Sequence, residues 1–110
     1  MRYQNKKHLS HIREMSCAIY DARLTQAATG AIDCIGATEV HHLLKPWDGG
    51  RGMGLKATDR NVMPLCHWHH AMLHDQHGNE DSFWKFLGQE STFGRQLALT
   101  LWMQSPHYES

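Results

Sequence analysis

Seven of the ten histidines fall between positions 41 and 77, and with three cysteines they are the side chains of this 110-residue chain best suited to chemistry. Imidazole nitrogens and thiolates are the donors that borderline transition metals prefer, so metal ligation is the first reading. His70 and His74 stand four residues apart, and on a helix both rings leave the same face. A two-histidine pair needs a third ligand from another element to hold an ion and still keep a position open. The His41-His42 pair offers it. Strand neighbours point to opposite sides, so one ring can ligate while the other stays available for proton transfer. A neutral imidazole near pH 7 can take a proton from water, and a bound cation can stabilise charge on a phosphate under attack. Asn61 is the next element: a side-chain amide, or a nearby backbone carbonyl, bonded to a ring N–H would fix the tautomer of the base.

These residues need elements to hold them. Leu9, Ile12 and Met15 recur every three residues and predict a short N-terminal helix. Residues 17–34 run from Cys17 to Cys34 and read as a loop carrying a helical turn. Thr38 to Leu44 reads as a strand ended by Pro46. A loop with Gly49, Gly50, Gly52 and Gly54 follows, then a second short strand over Asn61–Leu65, with Pro64 at an edge or strand end. Cys66 to His77 has neither proline nor glycine and predicts a helix closed by Gly78. Asn79 can cap the next helix, whose Glu80 and Asp81 suit an N-terminus. Phe93, Leu97, Leu101 and Trp102 outline a last amphipathic helix before Pro106. Met63, Met72, Met103, Trp84 and Trp102 read as core, while Trp47 and Trp68 fit either packing or stacking on bases.

In the order strand, glycine loop, strand, helix, the line His41-His42, Asn61, His70-x-x-x-His74 resembles the HNH nucleases and their ββα-metal motif. The matching segments are EVHHLLKPWDGG and RNVMPLCHWHHAMLH, and the motif occupies the 34 residues from His41 to His74. The runs GMGLKATD and PLCHWHHAMLHDQHGNE, with a Phe-Trp helix after them, are most similar to phage-encoded recombination-enhancement nucleases. The resemblance implies a small α+β fold: a treble-clef-like ββα-metal core over about 34–77, a zinc knuckle, and C-terminal helices over about 79–104. A single domain over 1–110 is expected. By the same resemblance His41, His70 and His74 would hold the catalytic ion, His42 would be the general base and Asn61 its orienting partner. A structural zinc would take Cys17, Cys34, Cys66 and His69, with His67 as the competing fourth ligand. Sixteen residues separate Cys17 from Cys34, where the family's knuckle has two, so the first knuckle departs from the pattern.

Composition bounds the rest. At 41% hydrophobic and 20% charged the chain is neither disordered nor membrane-embedded, and no stretch reaches the roughly 20 apolar residues of a membrane span. The basic N-terminus lacks the apolar stretch of a signal peptide, and three cysteines argue against a secreted disulfide scaffold. A reducing bacterial cytoplasm is the expected location. Net charge is zero, yet residues 1–60 carry nine basic side chains against six acidic, and residues 61–110 two against five. The basic half holds Lys45, Arg51, Lys56 and Arg60 around the glycine loop, which read either as phosphate contacts or as an ordinary solvated loop. The expected function is metal-dependent cleavage of DNA with Mg²⁺, Mn²⁺, Ni²⁺ or Zn²⁺ at the catalytic site. The alternatives are a non-catalytic zinc-binding DNA module and an interaction protein using the Leu97–Met103 helix. DNA is the expected partner, with a second copy or a phage or host protein as a further one, and no membrane.

Overall fold

The computed structural model describes residues 3–21, 34–48 and 57–109. Two helices lead the chain, α1 (Lys6–Arg13) and α2 (Ala18–Asp21), followed by strands β1 (Thr38–His42) and β2 (Val62–Cys66). Helix α3 (His67–Met72) continues directly into a wider π-helical turn over Leu73–His77, and α4 (Glu80–Phe86) and α5 (Phe93–Gln104) complete the order. The expected α+β class is therefore correct: a two-stranded antiparallel sheet with helices packed around it.

The register sets Thr38 opposite Cys66, Val40 opposite Pro64 and His42 opposite Val62. In a two-stranded sheet each strand is an edge, which is where proline is tolerated. All five β2 residues are buried, so β2 runs through the core while β1 stays partly open. Around β2, Trp84, Phe83, Ile19, Leu43, Met63, Leu65 and Leu73 are fully buried. The Phe83, Trp84 and Phe93 rings stack edgewise or tilted, with centroids 5.0 and 4.7 Å apart. Gly94 makes this packing possible, because a Cβ there would lie 2.4 Å from the Trp84 indole nitrogen.

Local chemistry sets the helix ends as the sequence suggests. The Asn5 side chain accepts from the His8 backbone N–H, and Asn79 accepts from that of Ser82. Gly78 ends the π turn in the left-handed region with φ 76°, its N–H donating to Leu73 O at 2.8 Å. The first strand stops at His42, short of the expected Leu44, the second runs one residue later than expected, and two burial assignments also differ. Along α1 the fully buried pair is His8 and Ile12, with Leu9 and Met15 only half-buried. Met103 is 61% exposed rather than core, because it lies one residue, and so about 100° of helix rotation, past the buried Trp102.

Candidate metal centres

Two clusters of ligand-type side chains draw on helix α3. In the first, Cys17 precedes α2, Cys34 precedes β1, Cys66 ends β2 and His69 lies in the first turn of α3. Gly36 brings Cys34 in: with φ 89° it turns the chain so that Ile35 O and Ala37 O accept the N–H groups of Trp68 and His67. A side chain at that position would meet His67 Cβ at 2.8 Å. Cys66 also caps α3, its sulfur accepting from the His69 N–H at 3.4 Å.

The His69 Nδ1 atom stands 3.2 Å from Cys66 Sγ, 3.7 Å from Cys34 Sγ and 3.8 Å from Cys17 Sγ. One tetrahedral zinc ion, with bonds of about 2.3 Å to sulfur and about 2.05 Å to nitrogen, sets such pairs about 3.6 Å apart. The three sulfurs thus stand from His69 at about the distance that a single tetrahedral ion would set, and all four ligand atoms lie within 4.8 Å of one another. No disulfide is present among them, and Cys17, Cys66 and His69 are buried. Burial pushes the Cys17 and Cys34 thiols above their ordinary range, against backbone hydrogen bonds at Cys17 and with the neighbouring sulfurs adding to it at Cys34. Crowded thiols such as Cys17 and Cys34 keep their protons unless a cation offsets the charge, and that is the chemistry of a closed thiolate site. His67, by contrast, is 68% exposed and bonded to Glu39 Oε2 at 2.9 Å. The fourth position is that of His69.

The second cluster is built from His41 on β1, His70 on α3 and His74 in the π turn. The Nε2 atoms of His70 and His74 are 3.2 Å apart, against about 3.3 Å for two imidazoles on one tetrahedral ion. The His41 ring stands edge-on to both, with centroids at 5.1 and 5.4 Å. Both His41 nitrogens are buried, and among the described residues neither has a hydrogen-bond partner. Burial holds this ring well below the usual imidazole range, outweighing the pull of Glu80, so it is neutral and its lone pair can be donated. A cation is the partner such a ring would take, and the three nitrogens fit one.

Access separates the two clusters. His41 is fully buried and His74 is exposed, and a cleft of about 190 Å³ runs over both, lined also by His42, His70 and Ala57. His42 lies at the end of β1, 15% exposed, with its Nε2 atom 2.9 Å from Asp59 Oδ1. Asn61 is fully buried and bonded to the loop between the strands. Its Oδ1 accepts from the Trp47 N–H at 2.7 Å, its Nδ2 donates to Thr58 Oγ1 at 3.0 Å, and its carbonyl accepts from the Leu43 N–H at 2.9 Å. Asn61 therefore clamps the turn that follows His42 to the start of β2.

Three carboxylates back the imidazoles, and the sequence reading assigned none of them to these rings. Glu39 Oε1 accepts from His70 Nδ1 at 2.8 Å, which leaves the lone pair on Nε2, the nitrogen that faces His74. Hydrogen bonds from His70 and His67 hold the Glu39 carboxyl below its ordinary range. Glu39 had a legible signal: it sits two residues before His41, on the strand face that meets α3. Glu80, read as a helix-terminus acid, is 1% exposed and turned inward, where Oε1 accepts from the Leu44 and Lys45 N–H groups at 2.7 and 2.9 Å. Its Oε2 lies 3.7 Å from His41 Nε2. Burial pushes this carboxyl up, but His41 and the two N–H donors outweigh it and keep Glu80 below the usual carboxylate range. Asp59, behind His42, is the third.

Of the four basic loop residues, Lys45 pairs with Asp81 at 3.0 Å. The Arg60 guanidinium lies 3.8 Å from Asp48 and 3.9 Å over the Tyr3 ring. Arg51 and Lys56, with the glycines between them, lie outside the described residues. Trp47 and Trp68 are partly buried and pack against the core. No helix among the described residues is long and apolar enough to cross a membrane. Compared with protein-family models, with curated proteins and with solved structures, the chain finds no match in any of the three.

Proposed function

We propose that the protein is a metal-dependent DNA endonuclease built on an HNH-type ββα-metal core, with a structural zinc at Cys17, Cys34, Cys66 and His69. The observation that carries this reading is the juxtaposition of an open three-histidine cluster with a fourth imidazole, His42, which follows His41 on β1 and lines the same cleft. Three neutral nitrogen donors leave coordination positions for water and substrate, whereas the closed cluster has four ligands and no vacancy. A divalent cation at His41, His70 and His74 would supply a Lewis acid for a phosphate oxygen and for the leaving 3′ oxygen. Imidazole donors favour the later divalent ions, Zn²⁺ and Ni²⁺, in affinity. His42 takes the proton of the attacking water. Asn61 holds the turn behind His42, and Glu39 holds His70 in the tautomer that ligates. Lys45 and Arg60, with Arg51 and Lys56, are proposed to meet the DNA backbone, which gives register without base specificity.

The test is cleavage of supercoiled plasmid by zinc-loaded protein in Mg²⁺, Mn²⁺ or Ni²⁺, with His42→Ala beside it. The reading predicts nicked or linear products from wild type and a loss of about 10²–10⁴-fold in the variant, the usual worth of a general base. Plasmid left equally intact by both, in gels where both still shift DNA, would replace the enzyme by a zinc-dependent DNA-binding module.

A further inference from the structure

Asp59 occupies a position that neither the metal clusters nor the Asn61 clamp requires. It is 2% exposed, and its two carboxylate oxygens serve two different parts of the chain. Oδ1 lies 2.9 Å from His42 Nε2, and Oδ2 accepts from the Asn5 backbone N–H at 2.8 Å. The Asp59 N–H in turn donates to Tyr3 O at 3.2 Å. Tyr3 and Asn5 are themselves held by the far end of the chain. Asn5 Nδ2 donates to His107 O at 3.1 Å, and the Tyr3 hydroxyl bonds the Glu109 carboxylate. Both chain ends therefore meet behind the carboxylate that faces His42.

We infer that Asp59 is a positioning residue that sets the tautomer of His42 and is itself aimed by the N-terminal segment. A carboxylate accepts and cannot donate, so its partner nitrogen carries the proton. His42 is thereby held with its proton on Nε2. The Asn5 N–H, which can only donate, fixes which way the carboxylate stands. As the role of His42 as base, the inference rests on the nuclease reading; as a statement about the ring's tautomer, it does not.

The substitution Asp59→Asn gives a sharp test because the amide has one acceptor and one donor. The Asn5 N–H requires the oxygen, so the NH₂ group is turned onto His42 Nε2, and the ring must move its proton to Nδ1. Full-length, zinc-loaded protein carrying ¹⁵N-histidine would be compared as wild type and Asp59→Asn, with His42→Gln used to assign the resonances. The expected result is protonated Nε2 in wild type, protonated Nδ1 in Asp59→Asn, and kcat for plasmid cleavage lower by about a hundredfold or more with KM within about twofold. A wild-type ring protonated on Nδ1 overturns the inference without recourse to any variant, as does an unchanged tautomer in a folded Asp59→Asn. If wild type shows the Nε2–H ring and the variant inverts it, but neither protein cleaves DNA under any of the three metals, the positioning stands and the nuclease reading falls.

Discussion

The two clusters share helix α3 but are built for opposite ends. His69 turns into the core against three sulfurs, while His70, the next residue, turns towards the cleft and His74. One residue is a rotation of about 100° on a helix, enough to put neighbouring imidazoles into separate centres. The sulfur cluster ties together three segments distant in sequence and is nearly sealed, which suits an ion that holds the fold. The histidine cluster grades from buried His41 to exposed His74 and is braced by carboxylates rather than closed by a fourth ligand. The difference is one of closure: four ligand-type side chains drawn together and mostly buried in one cluster, three reaching from core to surface in the other.

The largest expected effect falls on the closed site. Cys66→Ala removes a ligand and the cap of α3 together. It should abolish stoichiometric zinc binding there and cost most of the domain's stability, about 5 kcal/mol or more, read by thermal unfolding with and without a strong chelator. A Cys66→Ala protein that unfolds at the wild-type temperature would break the distinction between the sites.

Acid sensitivity comes next, from a residue outside both clusters. His8 is fully buried, and burial, then the neighbouring His11 and His107, lower its pKa to about 4. The unfolded chain therefore binds a proton that the folded chain refuses between about pH 6.5 and about 4. Its contribution is present above pH 6.5 and is lost as the pH falls through that window, on the order of 3 kcal/mol in all. His8→Gln, which does not titrate, should flatten this part of the stability profile relative to wild type in denaturant titrations. Equal slopes in the two proteins would take His8 out of the account of acid sensitivity.

A smaller effect sharpens the comparison at the open site. Glu39→Gln should weaken cation binding to the three histidines by about 10- to 100-fold while leaving the zinc content of the sulfur site unchanged. Isothermal titration with Ni²⁺ on zinc-loaded protein measures the first and metal analysis the second. Equal Ni²⁺ affinity in wild type and Glu39→Gln would remove the carboxylate from the account of that site.

Local periodicity explains what the sequence made legible. Helical spacing paired His70 with His74, strand alternation divided His41 from His42, and the caps at Asn79 and Gly78 stand where their side chains or φ values require them. The α+β class and the grouping of Cys17, Cys34, Cys66 and His69 were legible as well, the latter only through the resemblance, since sixteen residues between two cysteines is not a spacing that announces a site. The carboxylates were not. Asp59 meets His42 across 17 positions, Glu39 meets His70 across 31, and Glu80 reaches Lys45 across 35. Such contacts depend on how elements pack, and an acid that stabilises a helix terminus looks the same in sequence as one turned into the core. Asn61 shows the reverse case: its importance was legible, but its side chain bonds Trp47 and Thr58, while the carboxylate at His42 comes from Asp59.

The smallest effect concerns stability at the open site. His74→Ala, at an exposed position, should leave thermal unfolding of zinc-loaded protein within about 0.5 kcal/mol of wild type and still remove the second ion. This leads to the measurement that bears most directly on the two-centre account, a cobalt titration of metal-free wild type and of His70→Ala/His74→Ala, followed by visible absorption. The account predicts two ions per wild-type chain, one with intense thiolate-to-cobalt charge-transfer bands and one without, and only the thiolate-bound ion in the double variant. A single ion per chain in wild type, or a double variant that still binds two, would contradict it.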